Sequence, residues 1–228
     1  MAMSSPAKKL ARAAAPGPLS AAATAVLDVA EKLAQTRGYN GFSYADIAAQ
    51  LGVTKASLHY HFPSKAQLGT ALIDRYHSSF RDALDAIDRQ TEEPAEKLRR
   101  YVDLYDSVLR NDRMCLCGML AAEYATLPAP MQEGLTSFFD ANERWLTAVL
   151  HAGVQIGVFV LTESANERAR VLLGALEGAL LVARSYGDSR RFRSAAAFLL
   201  ADIDRANKPP RPKPAKSLSR RRTPSKHD

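Results

Sequence analysis

Lys55, Ala56, Ser57, His59, Tyr60 and His61 form a set of side chains suited to touching a nucleic-acid duplex. Leu58 and Phe62 lie four apart among them, on one face of a helix, so the other six are turned away from a core. Small residues at Ala56 and Ser57 let such a helix sink into a groove about 12 Å wide, and Lys55 can reach guanine acceptors. Tyrosine, histidine and serine side chains hold phosphate oxygens. No acid occurs between Asp46 and Asp74, so nothing in that stretch repels the phosphate backbone that supplies most non-specific affinity.

The surrounding residues predict the elements that would hold this surface. Ala45, Ile47, Ala48 and Leu51 recur at helical spacing, and Ser43 with Asp46 reads as a capping box, so a short helix begins near Tyr44. Gly52 stops it without steric cost, and Val53 is expected to tuck into the angle before the next helix. Thr54 is the expected N-cap of the surface-bearing helix. Pro63 ends that helix, and Ser64 with Gln67 predicts a box for a longer one, whose free amides and Lys65 suit one more phosphate. Upstream, Val26, Leu27, Val29, Ala30, Leu33 and Ala34 predict a first helix closed by Gly38. The candidate DNA-binding set is therefore Ser43, Tyr44, Thr54, Lys55, Ala56, Ser57, His59, Tyr60, His61 and Lys65.

The run from Gly52 through Val53, Thr54, Lys55, Ala56, Ser57, Leu58, His59, Tyr60, His61, Phe62, Pro63, Ser64 and Lys65 to Leu68 resembles the helix-turn-helix motif of TetR-type transcriptional regulators. The resemblance covers residues 20–80, about a quarter of the chain. It implies an all-α protein: an N-terminal three-helix DNA-binding domain followed by a helical domain for ligand binding and dimerisation. His59 stands where the family has tyrosine, and both side chains can hydrogen-bond a phosphate. The family's first helix carries an arginine before the position of Val26, where this chain has an alanine-rich run; Lys8, Lys9 and Arg12 can replace that contact from an N-terminal arm.

Composition bounds the rest. The net charge of +7 is carried by the C-terminal end: residues 205–228 hold nine Lys or Arg and one Asp. Residues 81–204 are acidic, with 14 basic and 19 acidic side chains, which disfavours DNA contact there. Residues 1–19 read as a disordered basic arm and 207–228 as a disordered, Pro-rich basic tail. There is no apolar run of 18 or more residues and no hydrophobic signal core, so no membrane is expected and the location is read as cytoplasmic. Two cysteines one residue apart do not make a disulfide framework. No Ser-His-Asp set, phosphate loop or metal-ligand spacing is present, so no catalytic residue, metal or cofactor is expected.

Residues 81–206 form the second predicted domain, following a long helix from Pro63 to about residue 89. Further helices are expected at 95–109, 116–124, 131–156, 166–186 and 191–206, with a capping box at Ser164 and Glu167 and a packed loop at 158–161. The last two are apolar nearly all round and carry Gly174 and Gly178, which suits a four-helix homodimer interface, as the family resemblance also implies. Tyr101, Tyr105, Met119, Tyr124, Phe138 and Trp145 supply an aromatic and thioether surface for a small apolar ligand. The Cys115-Leu116-Cys117-Gly118 segment and the Ala-Ala-Glu ending at Glu123 resemble an electrophile-responsive branch of the family, which places Cys115 as a sensing thiol, with Cys117 beside it and Arg113 near enough to lower its pKa. The expected function is a homodimeric repressor released from a palindromic double-stranded DNA operator by a small molecule or thiol modification. The alternatives are a nonspecific architectural DNA binder and an interaction module whose helix-turn-helix no longer reads DNA.

Overall fold

The computed structural model describes residues 19–205; residues 1–18 of the N-terminal arm and the whole C-terminal tail lie outside that range. The described part is helical: α1 (Ala21–Arg37), α2 (Tyr44–Leu51), α3 (Lys55–His61), α4 (Lys65–Gln90), α5 (Pro94–Arg110), α6 (Leu116–Ala122), α7 (Ala129–Gln155), α8 (Ala165–Ser185) and α9 (Ser189–Arg205), with a 3-10 turn at Tyr124–Thr126. No helix among the described residues is long and apolar enough to cross a membrane.

Local chemistry sets the boundaries. Both halves of the capping box form at Ser43 and Asp46, and again at Ser164 and Glu167. Gly52 ends α2 in the left-handed region (φ 65°), its amide donating to the Ala48 carbonyl. Thr54 caps α3, accepting from the Ser57 amide at 3.3 Å. Ser64 caps α4 by accepting from the Gln67 backbone amide, but only half a box forms: the Gln67 side-chain Oε1 accepts from the Ser64 hydroxyl at 3.4 Å instead of from the Ser64 backbone amide. Val53 departs from expectation, remaining 42% exposed.

α1, α2 and α3 enclose a small core of Val26, Leu27, Ile47, Leu58 and Phe62. α4 runs on from it, about 39 Å long at 1.5 Å per residue. Leu68 and Leu72 are buried near its start and Leu84 and Ile87 near its end, so one helix enters both cores. Arg75, midway along α4, pairs with Asp28 and Glu31 of α1, both at 2.6 Å. In the second domain α7 packs on α4, α5 and α8, and α9 on α8 and α5. The 158–161 segment is irregular, as expected: Phe159 is buried against Gly153, where an added Cβ would come within 2.0 Å of the ring.

The outer face of α8 and α9 stays apolar and uncovered. Val171, Leu181, Val182 and Phe198 are exposed, Phe198 by 65%, and open space lies beyond Gly174 and Gly178.

Candidate nucleic-acid interface and effector core

Leu58 and Phe62 anchor α3 inward, and Lys55, Ala56, Ser57, His59 and Tyr60 are exposed. Tyr60 stands furthest out, 83% exposed, edge-on to the half-buried His61 at 5.2 Å. His59 is oriented by the Pro63 carbonyl, 3.2 Å from Nδ1, and by the Tyr44 ring at 4.6 Å, which leaves Nε2 as its free nitrogen. Between α2 and α3 an open cleft of about 330 Å³ is lined by Ser43, Ala45, Lys55 and His59, among others. This is a convex polar surface beside a shallow cleft, suited to a polyanion.

Three predicted members stand differently. Tyr44 is buried, and its hydroxyl donates to the Phe62 carbonyl at 2.6 Å; its phenol is a strut between α2 and α3, and burial raises its pKa to about 12. Lys65 folds back, its ammonium donating to the Tyr39 and Phe42 carbonyls at 2.6 and 2.5 Å and lying over both rings. Those carbonyls and rings claim the charge that was expected to meet a phosphate. Ser43 is exposed, but its hydroxyl donates to Asp46 at 2.7 Å.

The second domain gathers an aromatic core. Phe80 meets Phe138, Tyr101 and Tyr105 edge-on at 5.2 to 6.1 Å, and Trp145 stacks on Tyr101 at 5.5 Å with its Nε1 donating to Asp88. The Tyr101 hydroxyl bonds Asn142 Oδ1 at 3.0 Å and lies 3.1 Å from the Tyr105 hydroxyl. Met119 is half-buried against the protein's hydrophobic core. Tyr124 does not join it: α6 stops at Ala122, and the tyrosine projects from the 3-10 turn, 44% exposed.

Cys115 and Cys117 are fully buried. Burial pushes both thiols well above their ordinary pKa, and the Glu177 carboxylate adds to the effect. The expectation that Arg113 lowers the Cys115 pKa is thus reversed, because desolvation and a nearby anion oppose the thiolate. Sequence reasoning missed Glu177 itself. Both its oxygens are buried without a hydrogen bond of normal geometry, although the Cys115 thiol and Tyr105 hydroxyl are close enough to favour its charge, and burial raises its pKa to about 7. The available signal was that Glu177 is the only charged residue in the apolar run 171–183.

Glu123 was also missed as a contact. At the end of α6 its carboxylate accepts from the Tyr39 amide at 2.5 Å and the Asn40 amide at 3.3 Å, in the turn between α1 and α2. Asn40 also donates to Thr126 at 2.8 Å, Met114 to the Gln35 carbonyl, and Arg184 to the Thr36 carbonyl. The segment carrying the thiols therefore touches Glu177 on one side and ties to the first domain on the other.

A three-helix head with an exposed polar third helix, joined by a long helix to a second helical domain, defines a helix-turn-helix regulator. Residues 26–72 match the model of bacterial regulatory proteins of the tetR family, and residues 94–198 that of the LmrA/YxaF-like transcriptional regulator C-terminal domain. A TetR-family regulator from Agrobacterium tumefaciens is 33% identical, with a TM-score of 0.78 over 80% of this chain and 97% of its own. A TetR regulator from Legionella pneumophila is 34% identical, with a TM-score of 0.74 over 81% and 98%. The regulator LmrA of Bacillus subtilis is 26% identical over 162 residues, 69% of this chain and 83% of its own. The chain belongs to the TetR family of DNA-binding transcriptional regulators.

Proposed function

We propose that the protein is a cytoplasmic, homodimeric repressor whose α3 helices read a palindromic operator and whose second domain releases it on binding a small molecule. The observation that carries the reading is the exposed face of α3, where Lys55, Ser57, His59 and Tyr60 stand clear while Leu58 and Phe62 hold the helix down. The α3 N-cap residue Thr54 lies beside this face, Ala56 permits close approach, and His61 borders it.

The uncovered apolar face of α8 and α9 supports dimerisation: Val171, Leu181, Val182 and Phe198 surround two glycines that allow close helix approach. Twofold symmetry then places two α3 helices in successive major grooves, roughly 34 Å or a multiple apart. Release follows from linkage: an effector that favours the DNA-free conformer is itself bound more weakly when DNA is present. The buried, deactivated thiols of Cys115 and Cys117 favour a noncovalent ligand over thiol modification.

A gel shift at physiological salt on promoter DNA flanking the protein's own gene tests this reading. Sequence-specific retention by the wild type, lost in Lys55→Ala/Tyr60→Ala, is expected. Retention that ignores sequence and collapses with salt would instead indicate a nonspecific binder.

A further inference from the structure

Between α4 and α7 lies a cleft of about 180 Å³, below the size of a drug-sized pocket and so suited to a small ligand. Its walls are Phe80 and Leu84, one turn apart on α4, and Trp145 on α7. The Trp145 ring is fixed from behind by its stack on Tyr101 and its hydrogen bond to Asp88. Asn142 also lines the cleft, but its amide is already engaged, accepting from Tyr101 and donating to the Phe138 carbonyl. The floor is therefore apolar in effect, and polar recognition falls to the lip.

The lip is cationic. His77 and Arg81 stand one turn apart on α4, and Arg144 faces them from α7. Arg81 and Arg144 have no carboxylate partner among the described residues, whereas Arg75 and Arg168 each have two and Arg193 has one. Asp85 shares the lip, yet it forms an ion pair with neither guanidinium among the described residues. The two guanidiniums are felt at His77: its pKa is lowered first by desolvation, then by Arg81, with Arg144 adding to this and Asp74 opposing.

We propose that this cleft binds a small organic monoanion, its carboxylate held by Arg81 and Arg144 and its apolar or aromatic body lying on Phe80, Leu84 and Trp145. Guanidinium is the group whose planar fork matches a carboxylate. Asp85 works against a second negative charge on the ligand. The proposal rests on the ligand-responsive reading above and gives that response a chemical class. It also gives a route: Arg81 and Arg144 sit on different helices, and α4 continues into the head core through Leu72 and Leu68. An anion bridging the two arginines favours one α4–α7 arrangement over the other.

The chain has one tryptophan, and it lines the cleft, so its fluorescence reports occupancy without DNA. The full chain is titrated with 3-phenylpropionate, octanoate and 3-phenylpropylamine. The expected result is a saturable change with the two carboxylates and at least tenfold weaker binding of the amine, which matches 3-phenylpropionate in shape and carries the opposite charge. Arg81→Gln and Arg144→Gln, both at exposed positions, are expected to weaken carboxylate binding at least tenfold while leaving the melting temperature unchanged. No saturation with either carboxylate, equal or tighter binding of the amine, or undiminished binding by both variants overturns the proposal. A parallel gel shift keeps the two ideas separable. Saturable carboxylate binding that leaves the operator complex intact upholds the site and sinks the ligand-responsive reading. Operator binding with no titration does the reverse to the site.

Discussion

The helix-turn-helix head and the core of the second domain both present polar side chains at their centre, under opposite physical conditions. On α3 the polar groups proposed to face DNA are exposed and need no internal partner, because water satisfies them. In the core the hydroxyls of Tyr101 and Tyr105, the Cys115 thiol and the Glu177 carboxylate are out of water, and the carboxylate lacks a proper donor. An exposed polar face costs folding little and can be altered freely. A buried unsatisfied group costs stability and couples to everything around it. Function and stability should therefore separate in the head and stay entangled in the core.

The sharpest test of that separation is Lys55→Ala/Tyr60→Ala. Loss of base and phosphate contacts at about 1–3 kcal/mol each should lower operator affinity roughly 30-fold or more, measured by fluorescence anisotropy. The melting temperature should not move, as surface changes of this kind stay within about 0.5 kcal/mol. A large drop in melting temperature would break the comparison.

Glu177→Gln probes the opposite case. Burial raises this carboxyl from 4.5 to about 7, so the folded protein holds a proton that the unfolded chain releases. The stabilising contribution is fully present below about pH 4.5 and is lost as pH rises through about 7. Wild type should lose roughly 2–3 kcal/mol from this group between pH 5 and pH 8. Glutamine cannot ionise, so urea unfolding of the variant should be flatter across that range and more stable at pH 8. Identical pH profiles for the two proteins would mean that the carboxylate has a cation or water partner in solution.

Much of this was legible from sequence where the determining interaction is local. Ser43 with Asp46, Ser164 with Glu167, Thr54 and Gly52 act within four residues, and the predicted helix ends fall where those residues stand. The contacts not legible in the sequence involve long separations. The Tyr44 hydroxyl finds a carbonyl 18 residues away, and Lys65 finds carbonyls 23 and 26 residues away. A motif gives residue types in order but not which polar tip turns inward. Glu177 was visible as a lone charge in an apolar helix, yet only packing against Gly118, where a Cβ would come within 2.3 Å of its carboxylate, shows that it is buried rather than on the uncovered face of α8.

Lys65→Met tests the corrected reading of that lysine. If its ammonium mainly satisfies two carbonyls, removing it should destabilise the head by about 1–3 kcal/mol. Operator affinity per folded protein should change less than about threefold, well below the tenfold that 1.4 kcal/mol represents. A loss of affinity at unchanged stability would return Lys65 to the DNA surface.

The smallest effect is expected at the joint between the two regions, and there it is best read locally. Glu123 belongs to the α6 segment, yet it accepts from the amides of Tyr39 and Asn40 in the head. Glu123→Ala leaves those amides with water and the Asn40–Thr126 contact, so global stability should fall by only about 1 kcal/mol. Hydrogen exchange of the Tyr39 and Asn40 amides should nevertheless quicken about tenfold, since a local opening cheaper by roughly 1.4 kcal/mol changes its population by that factor. Faster exchange confined to this turn would mark Glu123 as a tie between otherwise self-sufficient halves. Exchange that also quickened around Cys117 and Gly118 would show strain passing through α6 into the core, in which case the head is not physically independent of the buried carboxylate behind it.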